Sequence, residues 1–263
     1  MIKSLYDFQV VYPLDMLDTI ESQSKDQRVT GVILDTRKIN LDEYPDLKVI
    51  SRVGVGLDNI DLKECKQRGI QVYNTPCEEL YYAVAEFIVR QMLNLFITPR
   101  KCLSGMTVGI IGYGNIGTKL DDLLYGFGTR ILWYDNDPIL SPSGNNLYAL
   151  LERADIVCVC ISGNDCVLGK NEINILPFGT YVVNVARKGC VDTKILARAL
   201  AMGGIGGYAS DVDGGWTDSP WNMYGASLLR NVLLTPHIAS STREARQKME
   251  EMAIDNLIRG LQE

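Results

Sequence analysis

Short apolar stretches alternate with stretches of helical periodicity along the whole chain. The apolar stretches predict strands near residues 8–12, 30–34, 48–53, 70–73, 107–111, 130–135, 155–161, 180–185, 206–211 and 231–235. Helical spacing of apolar residues predicts helices near 14–22, 61–68, 80–97, 115–126, 146–153, 192–202 and 241–261. Strands that alternate with helices are typical of α/β proteins with parallel sheets.

The last predicted helix has the most regular pattern. Ser241 and Glu244 have the spacing of a capping box. An apolar stripe at helical spacing follows them, formed by Ala245, Met249, Met252, Ala253 and Leu257. We expect a discontinuous layout, in which residues 1–99 and 239–263 form one domain and residues 100–238 form a second domain inserted into it.

Composition excludes several classes of protein. Of the 263 residues, 46% are hydrophobic and 22% are charged, which is typical of a globular protein with a real core. The net charge of -6 argues against a nucleic-acid or anionic-membrane partner. No apolar run approaches the ~20 residues that a membrane helix needs. The chain also opens without the pattern of a secretory leader.

The cysteines and the single histidine limit the possible chemistry. The seven cysteines are scattered, and with one histidine in the chain a zinc site is improbable. Cys158 and Cys160 alternate along an apolar stretch, so we expect buried, reduced thiols there. A reducing cytoplasm is the compartment that fits this usage best.

A glycine turn between an apolar strand and a helix predicts a dinucleotide site. Gly112 allows a tight turn, Gly114 lets the backbone approach a pyrophosphate, and Gly117 lets helix and strand pack closely. The helix that opens with Asn115 and Ile116 offers N–H donors and a positive dipole end to the phosphates.

Asp135 ends the next strand, 18 residues after Gly117. A carboxylate there accepts hydrogen bonds from the adenine-ribose hydroxyls and repels a 2′-phosphate, which favours NAD over NADP. The alternative is an unoccupied turn in which Asp135 only caps its strand.

His237 is the only imidazole in the chain and closes the last predicted strand. A lone histidine is more often a satisfied boundary residue than a catalytic one. Here a glycine fingerprint, Arg187 and the turn Gly54-Val55-Gly56 accompany it along the sequence, and they favour a catalytic role.

Taken together, these segments resemble the D-isomer-specific 2-hydroxyacid dehydrogenases. The resemblance extends over nearly the whole chain and rests on the glycine fingerprint and on six further segments, which are 52–61, 69–76, 84–87, 183–187, 209–212 and 235–240. It implies a Rossmann cofactor domain inserted into a smaller flavodoxin-like substrate domain, usually in a dimer. It further implies NAD as cofactor and hydride transfer between a small D-2-hydroxy acid and its 2-keto acid.

Under this resemblance Arg187 holds the substrate carboxylate and stabilises charge on the ketone oxygen. His237 then donates the proton, or accepts it in the reverse direction. The backbone N–H groups of Gly54, Val55 and Gly56 are expected to bind the substrate carboxylate, although a plain tight turn is equally compatible.

Other residues receive expected contacts in the same way. Arg52 is either a second cation for a larger acid or a solvated arginine. The resemblance also assigns cofactor contacts to Thr75, Val185, Ala186 and Asp211, as well as to Arg187 and His237.

The chain departs from the family pattern in several places. The glutamate expected five residues after Asp211 is Trp216, so Asp213 or Asp218 would have to replace it, or Arg187 and His237 act alone. The segment 97–107 lacks about two dozen residues that usually contribute to a dimer interface, so a homodimer is possible but not implied. The loop 161–169 is short and lacks the family's proline, and Lys188 stands where the family prefers glycine.

Two functions therefore remain open from the sequence. The first is a working NAD-dependent 2-hydroxyacid oxidoreductase, which the intact Arg187 and His237 favour. The second is a weak or silent relative that binds NAD(H) as a binding or sensing module, which Trp216 and the short segments favour. The sequence identifies neither the acid nor the physiological direction.

Overall fold

The computed structural model describes residues 10–11, 29–97, 100–137, 146–214 and 231–263. The helix predicted near 14–22 lies outside these residues, as do Trp216 and Asp218. The chain divides into two compact units: residues 1–80 with 243–263, and residues 81–242. The second unit is thus inserted into the first, and its bounds differ from the expected 100–238 because most of the helix 78–96 belongs to it.

The first unit contains a parallel sheet whose four strands lie in sequence order. The strands are β1 (Val10–Val11), β2 (Gly31–Leu34), β3 (Val49–Arg52) and β4 (Gln71–Tyr73). Helix α1 (Leu62–Arg68) begins at the N-cap Asp61, whose side chain accepts the N–H of Glu64, and ends at Gly69 in the left-handed conformation. These local signals explain why the predicted and observed bounds agree.

Helix α7 (Arg243–Gln262) packs on this sheet through the predicted apolar stripe. Ala245, Met249, Ala253 and Leu257 are buried, whereas Met252 is half-buried. Two glycines allow the close approach: a Cβ added at Gly31 would lie 2.7 Å from Leu257 Cδ1, and one at Gly260 would lie 2.8 Å from Tyr73 Cε2. Helix and sheet therefore meet without space for another methyl group.

The second unit contains a six-stranded parallel sheet. Its strands are β5 (Thr107–Ile111), β6 (Arg130–Tyr134), β7 (Ile156–Val159), β8 (Thr180–Asn184), β9 (Ile205–Ser210) and β10 (Val232–Leu234). Their spatial order is β10-β9-β8-β7-β5-β6. The chain leaves β5 for β6 on one side and then continues from β7 on the other, so a topological switch point lies beside β5.

Helices connect these strands and cover their buried side chains. They are α2 (Glu78–Phe96), which begins in the first unit, α3 (Asn115–Tyr125), α4 (Leu147–Leu151), α5 (Lys170–Ile175) and α6 (Thr193–Ala201). The expected α/β class with a doubly wound parallel sheet is confirmed. The sequence analysis did not predict α5 or the two short 3-10 helices at 41–43 and 188–190. Within the described ranges no helix has the length and apolar character needed to cross a membrane.

Candidate active site

The glycine turn after β5 has the geometry that its spacing predicts. Gly112 has φ +94°, and a Cβ there would lie 2.7 Å from the backbone nitrogen of Ile161, in the loop after β7. A Cβ at Gly117 would lie 2.2 Å from the Gly112 carbonyl oxygen. Around Gly114, in contrast, there is no atom within 4 Å of an added Cβ. Two of the glycines are needed for packing, and the third faces open space.

That open space lies at the N-terminus of α3. Gly114 is the N-cap residue and has no side chain to accept the first N–H groups of the helix. Gly114 and Asn115 are exposed and Ile116 is half-buried, so these donors and the helix dipole face outward. A pyrophosphate is the group that such a cradle fits, and the residues present are therefore suited to a dinucleotide.

Asp135 lies beside the same turn, just after β6. Its Oδ2 accepts a hydrogen bond from the backbone N–H of Tyr113 at 2.7 Å, and its Oδ1 accepts one from the N–H of Asp137 at 2.9 Å. The carboxylate is thus held against the glycine turn at an orientation set by the backbone. This is where a ribose-binding carboxylate belongs in a dinucleotide site.

Arg187 lies on a turn after β8 that a buried asparagine braces. Asn184 Oδ1 accepts the N–H of Ala186 at 3.0 Å, and Asn184 Nδ2 donates to the carbonyl of Arg187 at 3.0 Å. Val185 extends the sheet by donating its N–H to the carbonyl of Val159. The guanidinium of Arg187 is half-buried and donates through Nη1 to the carbonyl of Ala186 at 2.8 Å.

His237 is exposed and lies on a loop after β10 with φ +58°, in the left-handed region. The carboxylate of Asp211, which is 2% exposed, holds this loop. Asp211 Oδ1 accepts from Thr235 Oγ1 at 2.5 Å and from the N–H of Ile238 at 2.9 Å, while Oδ2 accepts from the N–H of Ala239 at 2.7 Å. The buried carboxylate thereby fixes the backbone on both sides of the imidazole.

These three elements lie next to one another at one edge of the sheet. Arg187 follows β8, Asp211 follows β9 and His237 follows β10, and the three strands are neighbours in the order β8-β9-β10. The glycine turn follows β5 at the same edge, with only β7 between β5 and β8. Ligands of doubly wound sheets bind at this carboxyl edge, next to the switch point.

The glycine turn of the first unit is different. The N–H of Gly54 donates to Thr75 Oγ1 at 2.7 Å, so it is not available to a substrate carboxylate as the sequence analysis expected. Thr75 is fully buried, and its own hydroxyl donates to the carbonyl of Arg52 at 3.3 Å. The N–H groups of Val55 and Gly56 remain candidates, because within the described ranges neither donates a hydrogen bond.

The guanidinium of Arg52 folds back on its own turn. Its Nη1 donates to the carbonyl of Val53, and a Cβ at Gly54 would collide with it. In this conformation Arg52 is a part of the turn. Its role as a second cation for substrate therefore stays a prediction.

Asp213 does not take the position expected of a histidine partner. It is 6% exposed, and its Oδ2 accepts the hydroxyl of Tyr208 at 2.6 Å. Burial raises the pKa of Asp213, while hydrogen bonds from Tyr208 and Ser210 and the charge of Lys188 act in the opposite direction. Those partners lie towards the Arg187 turn, and the other candidate, Asp218, lies outside the described residues.

All seven cysteines are free thiols. Cys158 is buried as expected, whereas Cys160 is half-buried, and burial raises the pKa of Cys160 to about 12. No group of three or more potential ligands able to hold a metal ion is found among the described residues.

Comparison with known proteins identifies the family. Residues 91–239 match the family model described as D-isomer specific 2-hydroxyacid dehydrogenase, NAD binding domain. The chain belongs to this family. A glyoxylate reductase of Thermofilum pendens is 34% identical over 251 residues, which cover 83% of this chain and 73% of the relative.

Solved structures of the family have the same fold. The D-lactate dehydrogenase of Aquifex aeolicus, complexed with NAD and lactic acid, superposes with a TM-score of 0.74 at 26% identity, over 89% of this chain and 84% of that one. An NADPH-dependent glyoxylate/hydroxypyruvate reductase of Sinorhizobium meliloti in complex with citrate gives a TM-score of 0.77 at 27% identity, over 89% and 82%.

The family resemblance expected from the motifs is therefore confirmed, and with it the reaction class. The protein is an NAD-dependent oxidoreductase that interconverts 2-hydroxy and 2-keto acids. The residues that the sequence analysis missed are Asn184, Thr235 and Tyr208. The one signal for Asn184 is a polar residue at the end of an otherwise apolar strand.

Proposed function

We propose that this dehydrogenase reduces a small 2-keto acid of the size of glyoxylate or hydroxypyruvate, with Arg187 and His237 as its catalytic residues. The observation that carries this proposal is the placement of the Arg187 turn, Asp211 and the His237 loop after three neighbouring strands. The name of the Thermofilum relative supports the substrate class.

Arg187 binds the carboxylate of the acid and stabilises negative charge on the ketone oxygen, since its guanidinium is permanently charged and forked. His237 gives its proton to that oxygen as it becomes a hydroxyl, and takes it back in the reverse direction. Bound NADH supplies the hydride that reaches the carbonyl carbon. Asp211 keeps the His237 loop in place through its bonds to Thr235, Ile238 and Ala239.

The cofactor contacts of this proposal follow from the glycine turn. The N–H groups at Gly114, Asn115 and Ile116 would hold the pyrophosphate, and Asp135 the adenine ribose. Thr75, Val185 and Ala186 stay predicted contacts. The N–H groups of Val55 and Gly56 are assigned to the substrate carboxylate, and Gly54 supports their turn.

Replacement of Arg187 tests the proposal most directly. Arg187→Ala should lower kcat/KM for the preferred 2-keto acid by on the order of 10²–10³, because a charged donor to the developing oxyanion is lost. The measurement is NADH oxidation with glyoxylate, hydroxypyruvate and pyruvate. Arg198→Ala is the matched control, since Arg198 is an exposed arginine of α6 and should not affect turnover.

A wild-type protein that binds NADH but turns over none of these acids would contradict the proposal and favour the binding or sensing module. Equal rates for Arg187→Ala and wild type would also contradict it.

The remaining expectations are kept as predictions. We expect residues 1–99 and 239–263 to carry the substrate contacts and residues 100–238 the cofactor contacts. A homodimer and a cytoplasmic location are expected as well, and light scattering of the purified protein tests the first of them.

A further inference from the structure

We propose that Tyr208 and Asp213 are positioning residues that set the turn carrying Arg187. This inference rests on the proposed function, because it assigns them a role through the arginine that binds substrate. The two residues lie two strand positions before and two positions after Asp211, on and just after β9. The Arg187 turn lies directly beside them, after the neighbouring strand β8.

The first step is the contact between the two residues. Tyr208 is fully buried, and its hydroxyl donates to Asp213 Oδ2 at 2.6 Å. The same hydroxyl also interacts with the side chains of Ser210 and Asn184, which lower the Tyr208 pKa against the larger opposing effects of burial and Asp213. Tyr208 therefore links the buried acid to Asn184.

The second step leads from Asn184 to the turn. The Asn184 amide is 0% exposed and makes hydrogen bonds with both of its ends, to the N–H of Ala186 and to the carbonyl of Arg187. Since Asn184 spans the turn in this way, any rotation of its side chain moves the backbone of Arg187. The hydroxyl of Tyr208 is a group that can prevent that rotation.

The third step concerns the cost of this arrangement. Asp213 is buried, and its Oδ1 accepts no hydrogen bond from any described residue. A buried carboxylate with an unsatisfied oxygen destabilises a fold, and an apolar pair of similar volume would be cheaper. The apolar cluster around Tyr208 contains valine, leucine and isoleucine side chains that such a pair would match. An acid that costs stability beside a functional turn is expected where position matters more than stability.

Tyr208→Phe is the central test, because it removes only the hydroxyl and keeps the volume of the core. We expect KM for the 2-keto acid, and Kd for oxamate in the NADH complex, to rise by roughly tenfold, which corresponds to about 1.4 kcal/mol. The Kd for NADH alone should stay unchanged, since the glycine turn is not involved. In an Arg187→Ala background, Tyr208→Phe should have no further effect on oxamate binding.

Tyr148→Phe is the matched control. Tyr148 also donates to a carboxylate, Glu172 Oε1 at 2.8 Å, but it does so between α4 and α5. Its replacement should leave the oxamate Kd unchanged. Equal effects of the two variants, or an oxamate Kd in Tyr208→Phe equal to wild type, would overturn the inference.

Hydrogen exchange makes the test independent of turnover. Amide exchange in the segment 184–190 should become faster in Tyr208→Phe and stay at the wild-type rate in Tyr148→Phe, because the Ala186 N–H depends on Asn184. Unchanged exchange in Tyr208→Phe would refute the positioning role even in a protein without activity. Faster exchange in a wild type that reduces no 2-keto acid would instead refute the proposed function alone.

Asp213→Asn adds a dependence on pH. Burial raises the pKa of Asp213 above its ordinary value of 3.8, so the folded state disfavours the ionised form. The wild type then loses stability as pH rises from that value through the folded pKa, and the loss is complete above it. Among the described residues, the titratable groups that interact with Asp213 are Tyr208 and Lys188.

We therefore expect Asp213→Asn to have a higher Tm than wild type at about pH 8, and this gain to shrink towards about pH 4. Its oxamate Kd should nevertheless rise as in Tyr208→Phe. A variant that binds oxamate as tightly as wild type does, whatever its Tm, would show that Asp213 has no positioning role.

Discussion

Two glycine turns in this protein follow apolar strands, and they have opposite properties. The turn at Gly54 follows β3 and is closed by its own unit, since its first N–H donates to Thr75. The turn at Gly112 follows β5 and leads at once into α3, whose first N–H groups have no capping side chain. In the first unit the next helix begins only at Leu62.

The difference shows that glycine spacing alone does not make a binding site. A turn binds a ligand when its donors have no protein partner and a helix N-terminus aligns them. The turn at Gly112 meets both conditions around Gly114, where an added Cβ would contact nothing. The turn at Gly54 meets neither condition at its first residue, and only Val55 and Gly56 keep free donors.

The largest effect is expected from Gly112→Ala. A side chain at φ +94° is strained, and its Cβ would lie 2.7 Å and 2.8 Å from backbone atoms of Ile161 and Cys160, which cannot move aside like a flexible side chain. Strain of about 1–3 kcal/mol in the turn alone should weaken NADH binding by roughly 10–100-fold and lower Tm. Fluorescence titration with NADH measures the first and calorimetry the second.

Gly126→Ala is the control for that experiment, because it has an ordinary helical φ of -67° and no atom within 4 Å of an added Cβ. Wild-type affinity in Gly112→Ala would show that the turn is not the pyrophosphate site.

Gly114→Ala should separate binding from folding. The added methyl group contacts no protein atom, so the free energy of unfolding without cofactor should stay within about 0.5 kcal/mol of wild type. The same methyl group occupies the space that the pyrophosphate needs, and we expect roughly a tenfold increase in the Kd for NADH. A loss of stability with unchanged NADH affinity would place this glycine with the packing glycines.

Thr75→Val gives the smallest change, and it affects stability. It leaves the N–H of Gly54 buried without an acceptor, which costs about 1–3 kcal/mol of unfolding free energy. Thr75→Ser keeps the hydroxyl and is the matched control. Urea denaturation compares the two variants, and equal stabilities would mean that the hydroxyl does not close the turn.

The sequence predicted best those features whose cause is local. The positions of Gly112 and Gly117 follow from steric limits within one strand-turn-helix unit, and the stripe of α7 follows from helical periodicity. In contrast, α5 has six residues, less than two full turns, which is too short to show a period. Its glycine N-cap also gives no side-chain signal.

The contacts that shape the site are not local. Thr75 meets Gly54 across 21 residues, and Asp211 meets Ala239 across 28. Parallel strands place these groups together only after the sheet has formed, so no window of sequence contains them. For this reason Asp211 was expected at the cofactor, whereas its two oxygens bond the loop that carries His237.

The left-handed backbone at His237 has a consequence for protein engineering. Glycine and asparagine tolerate that conformation better than histidine does, so a search for heat-resistant variants would favour them at position 237. Such a search would discard the sole imidazole of the enzyme while reporting an improvement. Selection for robustness at this locus must therefore be coupled to an assay of turnover.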